Sequence, residues 1–277
     1  MALRGVTVAE ALDSARIPLR AAGCDTPELD AELLLAEAMG TGRAELLADP
    51  QRELGDAVRP FQDAVARRTA REPVAYILGR RGFRRLELAV DPRVLVPRPE
   101  TELLVEVAVA QLPAGARVLD VGTGSGAVAL ALVDERPDLR VTGSDINPAA
   151  LEVARSNALC LGLEVEWAQA DLLERLAGPW DAIVGNPPYI AEPDWPGLAP
   201  EIQRHEPAGA MLAGLDGLDV IRRLVPQAAA ASPWMALEVG AGQAAAVREL
   251  VAAAGCAETE VHRDLAGIER VVVGRRC

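Results

Sequence analysis

The sequence predicts an α/β protein with a doubly wound, mixed sheet of seven strands, preceded by a small all-α domain and a β-hairpin linker. Three observations lead to this prediction. From about residue 100, strand-like apolar segments alternate with helical segments. Residues 1–75 space their apolar side chains as helices do. Finally, residues 263–269 are too few for a crossover helix, so the last two strands should form an antiparallel hairpin at the sheet edge.

Three segments follow from this pattern: a helical N-terminal domain at 1–75, a β-hairpin linker at 76–98 and the α/β domain at 99–277. Apolar residues at Ala31, Leu34, Leu35 and Ala38 mark one helical face. In the linker, residues 83–90 and 94–96 are predicted strands around a turn at 91–93. The linker carries six arginines, which form either a solvated face or a contact surface for an acidic partner.

The α/β domain should contain seven strands and five helices. The strands are predicted at 117–121, 140–144, 164–168, 181–184, 235–239, 259–262 and 270–273. The helices are predicted at 101–112, 126–135, 148–161, 216–231 and 242–254.

Composition excludes several classes of protein. The net charge of −13 repels polyanions, which argues against a nucleic acid as the main partner. The four cysteines show no metal-ligand spacing, so no metal site is expected. No signal pattern and no apolar run of membrane-spanning length occur, so we expect a cytoplasmic protein without a membrane segment.

A glycine-rich loop follows the first strand of the predicted sheet and opens a helix. Its glycines, Gly122, Gly124 and Gly126, allow close approach of a ligand to backbone amides. Asp145 ends the second strand, where an acidic residue binds ribose hydroxyls. Dinucleotides and S-adenosylmethionine both carry such a ribose. Asp120, before the first glycine, favours S-adenosylmethionine. A carboxylate suits the cationic amino-acid group and the sulfonium of that ligand better than the pyrophosphate of a dinucleotide.

The fourth strand ends in Asn186-Pro187-Pro188-Tyr189, which should face the same crevice as the glycine loop. A planar amide nitrogen is a poor nucleophile with two N–H donors. The Asn186 side-chain oxygen and the Pro187 main-chain oxygen can accept one each and so orient that nitrogen. The two prolines stiffen the loop, and Tyr189 offers a flat face for stacking. The motif therefore predicts methyl transfer to a planar nitrogen.

The sequence resembles the N5-glutamine methyltransferases of the HemK/PrmC type, which modify class-I peptide chain release factors. The resemblance covers essentially the whole chain. The Asn-Pro-Pro-Tyr motif is also found in adenine-N6 methyltransferases, whereas Pro97-Arg98-Pro99-Glu100 and the helical N-terminal domain are more specific. Residues 204–207 and 268–271 also fit. The resemblance implies a Rossmann-like class I methyltransferase fold and, as substrate, the glutamine of the Gly-Gly-Gln motif.

The resemblance also implies roles for individual residues. It makes Asn186, Pro187 and Tyr189 catalytic, and S-adenosylhomocysteine the product. Arg98 and Glu100 either position the substrate or simply begin a helix, where acidic residues are common. The residues expected to bind the cofactor are Asp120, Gly122, Thr123, Gly124, Ser125, Gly126, Asp145, Ile146, Asp171, Leu172 and Asn186. The residues expected to bind the substrate are Asn186, Pro187, Pro188, Tyr189, Arg98 and Glu100.

Four alternatives stay open at this point. The chain could methylate adenine or another amine in DNA or RNA, or a glutamine of a ribosomal protein. A NAD-dependent oxidoreductase would share the glycine loop, and a non-catalytic binding module would share the fold. The expected partner is a class-I release factor, the helical domain is expected to help to hold it, and the chain is expected to be monomeric.

Overall fold

The computed structural model describes residues 5–276; residues 1–4 and 277 lie outside the described part. Its α-helices are α1 Val8–Ala21, α2 Pro27–Ala38, α3 Arg43–Ala48, α4 Val58–Thr69, α5 Val74–Leu78, α6 Glu102–Gln111, α7 Ala127–Glu135, α8 Pro148–Leu161, α9 Pro200–His205, α10 Asp219–Ala231 and α11 Ala244–Ala253. Its strands are β1 Arg80–Phe83, β2 Leu86–Ala89, β3 Arg117–Val121, β4 Arg140–Asp145, β5 Glu166–Gln169, β6 Ala182–Gly185, β7 Trp234–Glu238, β8 Glu258–Arg263 and β9 Glu269–Arg275.

The main sheet has seven strands in the order β5-β4-β3-β6-β7-β9-β8. The pairs from β5 to β7 are parallel, and β9 pairs antiparallel with both β7 and β8. The predicted mixed doubly wound sheet is therefore confirmed, and each predicted strand is found within two residues of its expected ends. The strand order reverses between β3 and β6, which places the loops after these two strands on either side of one crevice.

Two apolar layers hold the sheet between its helices. Val118 of β3 faces the layer built with α6 and α7, whereas Leu119 faces the layer built with α10 and α11. This alternation along one strand is what a sheet covered on both faces requires. At the end of β6, a Cβ on Gly185 would lie 2.9 Å from the Val121 carbonyl oxygen. Glycine therefore allows β3 and β6 to stay in register up to the crevice.

The linker contains a hairpin, but the predicted strands were wrong. The strands are Arg80–Phe83 and Leu86–Ala89, paired around a turn at Arg84 and Arg85, and residues 94–96 form no strand. Arg84 adopts φ 53°, which closes a tight turn that the alternation of residues 83–90 does not reveal. Its guanidinium pairs with Glu106 and Glu135, so this basic position is neutralised within the chain.

The chain divides into two units, one with residues 5–79 and 199–205 and one with residues 80–198 and 206–276. The first unit is all-helical. Its core is formed by α1, α2 and α4, with Leu19, Leu35 and Phe61 among the buried side chains. Residues 199–205, including α9, were not predicted to join these helices. In the described part, no helix is long and apolar enough to cross a membrane.

An ion-pair network ties α9 to the helical unit. Glu201 accepts hydrogen bonds from Arg68 and Arg71, both at 2.6 Å, and Arg68 also donates to Asp30 at 2.7 Å. All four side chains are largely shielded from water. Because charges of this kind are costly to bury alone, each one depends on its partners.

Candidate active site

The glycine loop after β3 is fastened to the neighbouring strand. The N–H groups of Gly122 and Thr123 both donate to the Ser144 carbonyl, at 2.8 and 2.9 Å. The Gly124 N–H donates to Asp145 Oδ2 at 3.0 Å, and the Asn147 N–H donates to Asp145 Oδ1 at 2.8 Å. Asp145 therefore fixes the loop as well as facing the crevice.

A cavity of about 430 Å³ opens at the carboxyl ends of β3, β4 and β6. A Cβ on Gly122 or Gly124, both with positive φ, would meet no atom within 4 Å, so both glycines leave open space for a ligand. Ile146 is 63% exposed beside the cavity, where a planar apolar group could pack against it. The predicted site residues that line this cavity are Gly122, Gly124, Asp145, Ile146, Asp171, Leu172, Asn186, Pro187 and Pro188.

Asp171 and Leu172, which follow β5, line one side of this cavity. Leu172 has φ 54°, an unusual conformation for a leucine, and lines the cavity with Asp171. Asp171 Oδ2 accepts a hydrogen bond from Arg223 at 2.7 Å, which orients the carboxylate from α10. The prediction that these two residues contact the cofactor stays a prediction.

A second, smaller cavity of about 50 Å³ lies beside the glycine loop. Ser125 Oγ is buried there without a hydrogen-bond partner in the described residues, so a ligand could supply one. Arg98 also lines this cavity and is held by Glu206, which in addition accepts from the Val96 N–H at 3.1 Å. The predicted site residues lining it are Arg98, Asp120, Gly122, Thr123, Gly124, Ser125 and Asn186.

Asp120 is 1% exposed and supports the loop from beneath. Its Oδ2 accepts hydrogen bonds from the Thr123 hydroxyl at 2.6 Å and from the Ala129 N–H at 3.2 Å. Burial raises the pKa of Asp120 from its usual 3.8 to about 7, although these two hydrogen bonds oppose the shift. A cationic ligand group in the smaller cavity would stabilise the ionised form.

This raised pKa predicts a pH-dependent stability. Because the folded-state pKa of Asp120 exceeds the unfolded value, its stabilising contribution is present below about pH 4 and is lost as the pH rises through 7. In Asp120→Asn this contribution cannot titrate. We expect the unfolding equilibrium constant of the wild type, relative to the variant, to rise about tenfold or more between pH 4.5 and 7.5. Urea unfolding at several pH values measures it; parallel stability curves would contradict it.

Asn186 and Pro187 stand at the end of β6 with free acceptors. Asn186 Nδ2 donates to Thr101 Oγ1 at 3.1 Å. This hydrogen bond fixes the orientation of the side-chain amide and leaves its oxygen, Oδ1, without a donor. Within residues 5–276, nothing donates to Asn186 Oδ1 or to the Pro187 main-chain oxygen. Both residues line the larger cavity, so the structure brings this pair of acceptors and the glycine loop to one site.

Tyr189 is placed differently from its neighbours. It is absent from the walls of both cavities, and its hydroxyl donates to Glu238 Oε1 at 3.3 Å. Glu238 ends β7 and is fully buried, and its other carboxylate oxygen, Oε2, has no hydrogen-bond partner among the described residues. Sequence reasoning missed Thr101 and Glu238, although a carboxylate ending the apolar strand Trp234–Glu238 was a visible signal. Glu100 lines neither cavity and lies in the 3₁₀ turn before α6, which favours its structural interpretation.

Comparison with known proteins places the whole chain in one family. Residues 10–79 match the family described as the PrmC N-terminal domain, and residues 99–198 match the methyltransferase small domain. The release factor glutamine methyltransferase of Rhodospirillum rubrum is 43% identical over 272 residues, covering 96% of this chain and 84% of that protein. The enzyme of the same name from Pseudomonas aeruginosa is 46% identical over 260 residues, covering 91% and 94%.

Solved structures agree on the fold. A methyltransferase from Pyrococcus furiosus superposes with a TM-score of 0.53 at 16% identity, covering 78% of this chain and 97% of that one. This similarity supports the class I methyltransferase fold alone. The sequence relatives are similar along nearly the full length of the chain, and they show its family. The chain belongs to the family of release factor glutamine methyltransferases.

Proposed function

We propose that this chain transfers a methyl group from S-adenosylmethionine to the side-chain amide nitrogen of the glutamine in the Gly-Gly-Gln motif of class-I peptide chain release factors. The observation that supports it most is the pair of unused acceptors, Asn186 Oδ1 and the Pro187 oxygen, beside the glycine loop. Two acceptors match the two N–H donors of a primary amide. The names of the relatives support the release factor as the substrate.

The residues of the two cavities fit S-adenosylmethionine. When bound, it supplies an electrophilic methyl group on a sulfonium. Gly122 and Gly124 have no side chain and leave room for a ligand beside the backbone. Ser125 Oγ has no hydrogen-bond partner among the described residues, so it can bond to the ligand. Asp145 lines the larger cavity with spare lone pairs for ribose hydroxyls, and Asp120 lines the smaller cavity with a buried carboxylate that suits the cationic amino group of the ligand. The donor set is therefore complementary to a cationic nucleoside with a polar tail.

The chain's own residues would act on the amide nitrogen by orientation and electrostatics. Accepting both N–H bonds holds the amide plane in one orientation and favours positive charge on the nitrogen as it forms a new bond. The proline ring of Pro187 keeps the two acceptors at fixed positions. After transfer the nitrogen is strongly acidic, so its extra proton passes to water and no strong side-chain base is required.

Asp145→Ala tests the assignment of the ribose site. We expect the variant to bind S-adenosylhomocysteine about 30-fold more weakly, because it loses both the acceptor for ribose hydroxyls and the anchor of the Gly124 N–H. Isothermal titration calorimetry measures the change. Asp181→Ala is the matched control, since Asp181 accepts from the Arg117 N–H at the opposite end of the sheet. Equal affinities in all three proteins would refute the role of Asp145.

The experiment that tests the function compares substrates. Purified protein and radiolabelled S-adenosylmethionine are incubated with a class-I release factor, with the same factor carrying Gly-Gly-Ala, with ribosomal proteins, and with RNA and DNA. We expect label in the intact factor alone, and mass spectrometry should place one methyl group on the glutamine. Label in nucleic acid or ribosomal protein, with none in the factor, would overturn the proposal.

We further propose that the enzyme acts in the cytoplasm as a monomer.

A further inference from the structure

The side chain of Gln243, just before α11, joins the Asn-Pro-Pro-Tyr motif to two other loops of the α/β unit. Its Oε1 accepts a hydrogen bond from the Gly240 N–H at 2.9 Å, and its Nε2 donates to the main-chain oxygen of Tyr189 at 3.0 Å. Two further main-chain oxygens, those of Asp216 and Gly217, lie 3.5 Å from Nε2. A side-chain amide meets both needs, because one end accepts and the other donates.

The three loops approach one another so closely that two positions have room only for glycine. A Cβ on Gly217, whose φ is 74°, would lie 2.3 Å from the Tyr189 main-chain oxygen and 2.8 Å from Gln243 Nε2. A Cβ on Gly240 would lie 2.8 Å from Gln243 Oε1. A larger residue at either position would therefore displace the Tyr189 oxygen or the Gln243 amide.

The hydrogen bond from Gln243 is the first that the main chain of the motif makes after its two prolines. Pro187 and Pro188 have no N–H, and in the described part of the chain nothing donates to either of their oxygens. Because the rings fix φ at both residues, a shift of the Tyr189 carbonyl is passed back to the Pro187 oxygen. That oxygen is one of the two acceptors for the substrate amide.

We propose that Gln243 is a positioning residue for methyl transfer. By holding the Tyr189 carbonyl, it fixes the Pro187 oxygen relative to Asn186 Oδ1 and thereby the orientation of the substrate amide. The inference rests on the proposed function, which gives these two oxygens the N–H donors of the amide. Gln243 itself is not among the residues that line the two cavities, so it acts through the motif.

The chain beyond Tyr189 has anchors of its own, so loss of Gln243 should displace the motif without unfolding it. The Ile190 N–H donates to the Met211 oxygen at 2.7 Å, and the Ala213 N–H donates to the Ile190 oxygen at 2.9 Å. These bonds hold the segment after the motif. The stretch between the prolines and Tyr189 depends on Gln243.

The sequence allows this hydrogen bond to be observed directly. The chain contains two tyrosines, Tyr76 and Tyr189, so labelling with tyrosine that carries ¹³C at its carbonyl gives two carbonyl signals. The Tyr189 signal is the one that disappears in Tyr189→Phe, and Tyr76 of the helical unit is the internal reference. Methionine resembles glutamine in length but forms neither bond. In Gln243→Met we expect the Tyr189 signal to move upfield, because its oxygen loses a donor, and the Tyr76 signal to stay.

Kinetics test the positioning role. In Gln243→Met we expect kcat to fall about 10- to 100-fold, because a displacement of about 1 Å at an acceptor is enough for such a loss. KM for the release factor and the affinity for S-adenosylhomocysteine should stay within about threefold of the wild type. The calorimetric stoichiometry of S-adenosylhomocysteine gives the concentration of folded protein, so a loss of stability alone would leave kcat unchanged.

Gln111→Met is the matched control. The side-chain amide of Gln111 also donates at one end, to Glu260 at 3.1 Å, and accepts at the other, from the Trp234 indole N–H at 3.3 Å. It does so away from the crevice. This variant should keep the wild-type kcat and the wild-type Tyr189 carbonyl signal.

Gln243→Glu adds a test by pH. When ionised, the introduced carboxyl group can accept from Gly240 but cannot donate to the Tyr189 oxygen; when protonated, it can donate again. The surrounding main-chain oxygens disfavour its charged form. Relative to Gln243→Met at the same pH, the kcat of Gln243→Glu should therefore rise as the pH falls from about 8 to about 5.5. Groups that titrate in both variants, Asp216 and Glu238 among them, cancel in this ratio.

Two results would overturn the inference: a Gln243→Met variant with the wild-type kcat, or a Tyr189 carbonyl signal that does not move in that variant. The choice of substrate separates this failure from a failure of the proposed function. If the wild type labels nucleic acid or ribosomal protein instead of the release factor, the proposed function fails. The same variants, assayed on that substrate, then still test whether Gln243 positions the motif.

Discussion

Asn186→Ala is expected to lower kcat/KM for the release factor by about 10³-fold while the protein still binds S-adenosylhomocysteine. The substitution removes Oδ1, one of two acceptors that orient the substrate amide and stabilise its developing positive charge. Removing one such preorganised group from an active site typically costs 10² to 10³ in rate. The loss should appear in kcat more than in KM, because the interaction strengthens as charge develops.

To test this prediction, the rate of methyl transfer and the affinity for S-adenosylhomocysteine must be measured separately. Single-turnover transfer to the release factor gives the first, and calorimetry with S-adenosylhomocysteine gives the second. Gln111→Ala is the matched control: it also removes a side-chain amide, one that contacts Glu260, Trp234 and Arg275 away from the crevice. Its transfer rate should match the wild type. An Asn186→Ala enzyme with more than a tenth of the wild-type rate would show that the amide does not depend on this acceptor.

The second large effect concerns stability. Glu201→Ala should destabilise the helical unit by about 3 kcal/mol, because it leaves Arg71 without its carboxylate and Arg68 with Asp30 alone. Hydrogen exchange of the amides in α2 and α4 reports on this unit independently of the α/β unit. We expect these amides to exchange more than 10²-fold faster in the variant, whereas amides of β3 and β6 stay protected.

Asp13→Ala is the control for this variant. Asp13 also pairs with an arginine, Arg16, but its side chain is 74% exposed, so water replaces the lost partner and protection should not change. Unchanged exchange in Glu201→Ala would mean that Arg68 and Arg71 reach other acceptors or water. In that case α9 would contribute little to the helical unit.

The sequence allowed prediction of those parts of the site that are contiguous along the chain. Gly122 to Gly126 and Asn186 to Tyr189 each follow a strand, so local pattern and sheet topology together predict where they meet. Thr101 and Glu238 could not be assigned in this way. Thr101 lies 85 residues from Asn186, and Glu238 lies 49 residues from Tyr189, so their contacts exist only once β6, β7 and the start of α6 are packed.

The two errors in the predicted fold, the hairpin strands and the helix α9, also arise because the local sequence pattern does not show backbone turns or tertiary contacts. The hairpin strands were misplaced because their turn depends on the backbone of Arg84, which the alternation of apolar residues does not show. The helix α9 was missed because six residues are too few to display a helical period. Its membership of the helical unit depends on Glu201 meeting arginines 130 and 133 positions away. Such partners are defined by the tertiary fold and not by spacing.

The split of the helical unit between residues 5–79 and 199–205 has a consequence for synthesis on the ribosome. N-terminal domains commonly fold first as the chain emerges. Here Arg68 and Arg71 leave the exit tunnel long before Glu201, and most of the α/β unit is translated in between. The helical unit therefore reaches its final stability only after about three quarters of the 277-residue chain has been made. A nascent chain arrested before Glu201 should expose these helices to proteases, and one arrested well beyond it should protect them.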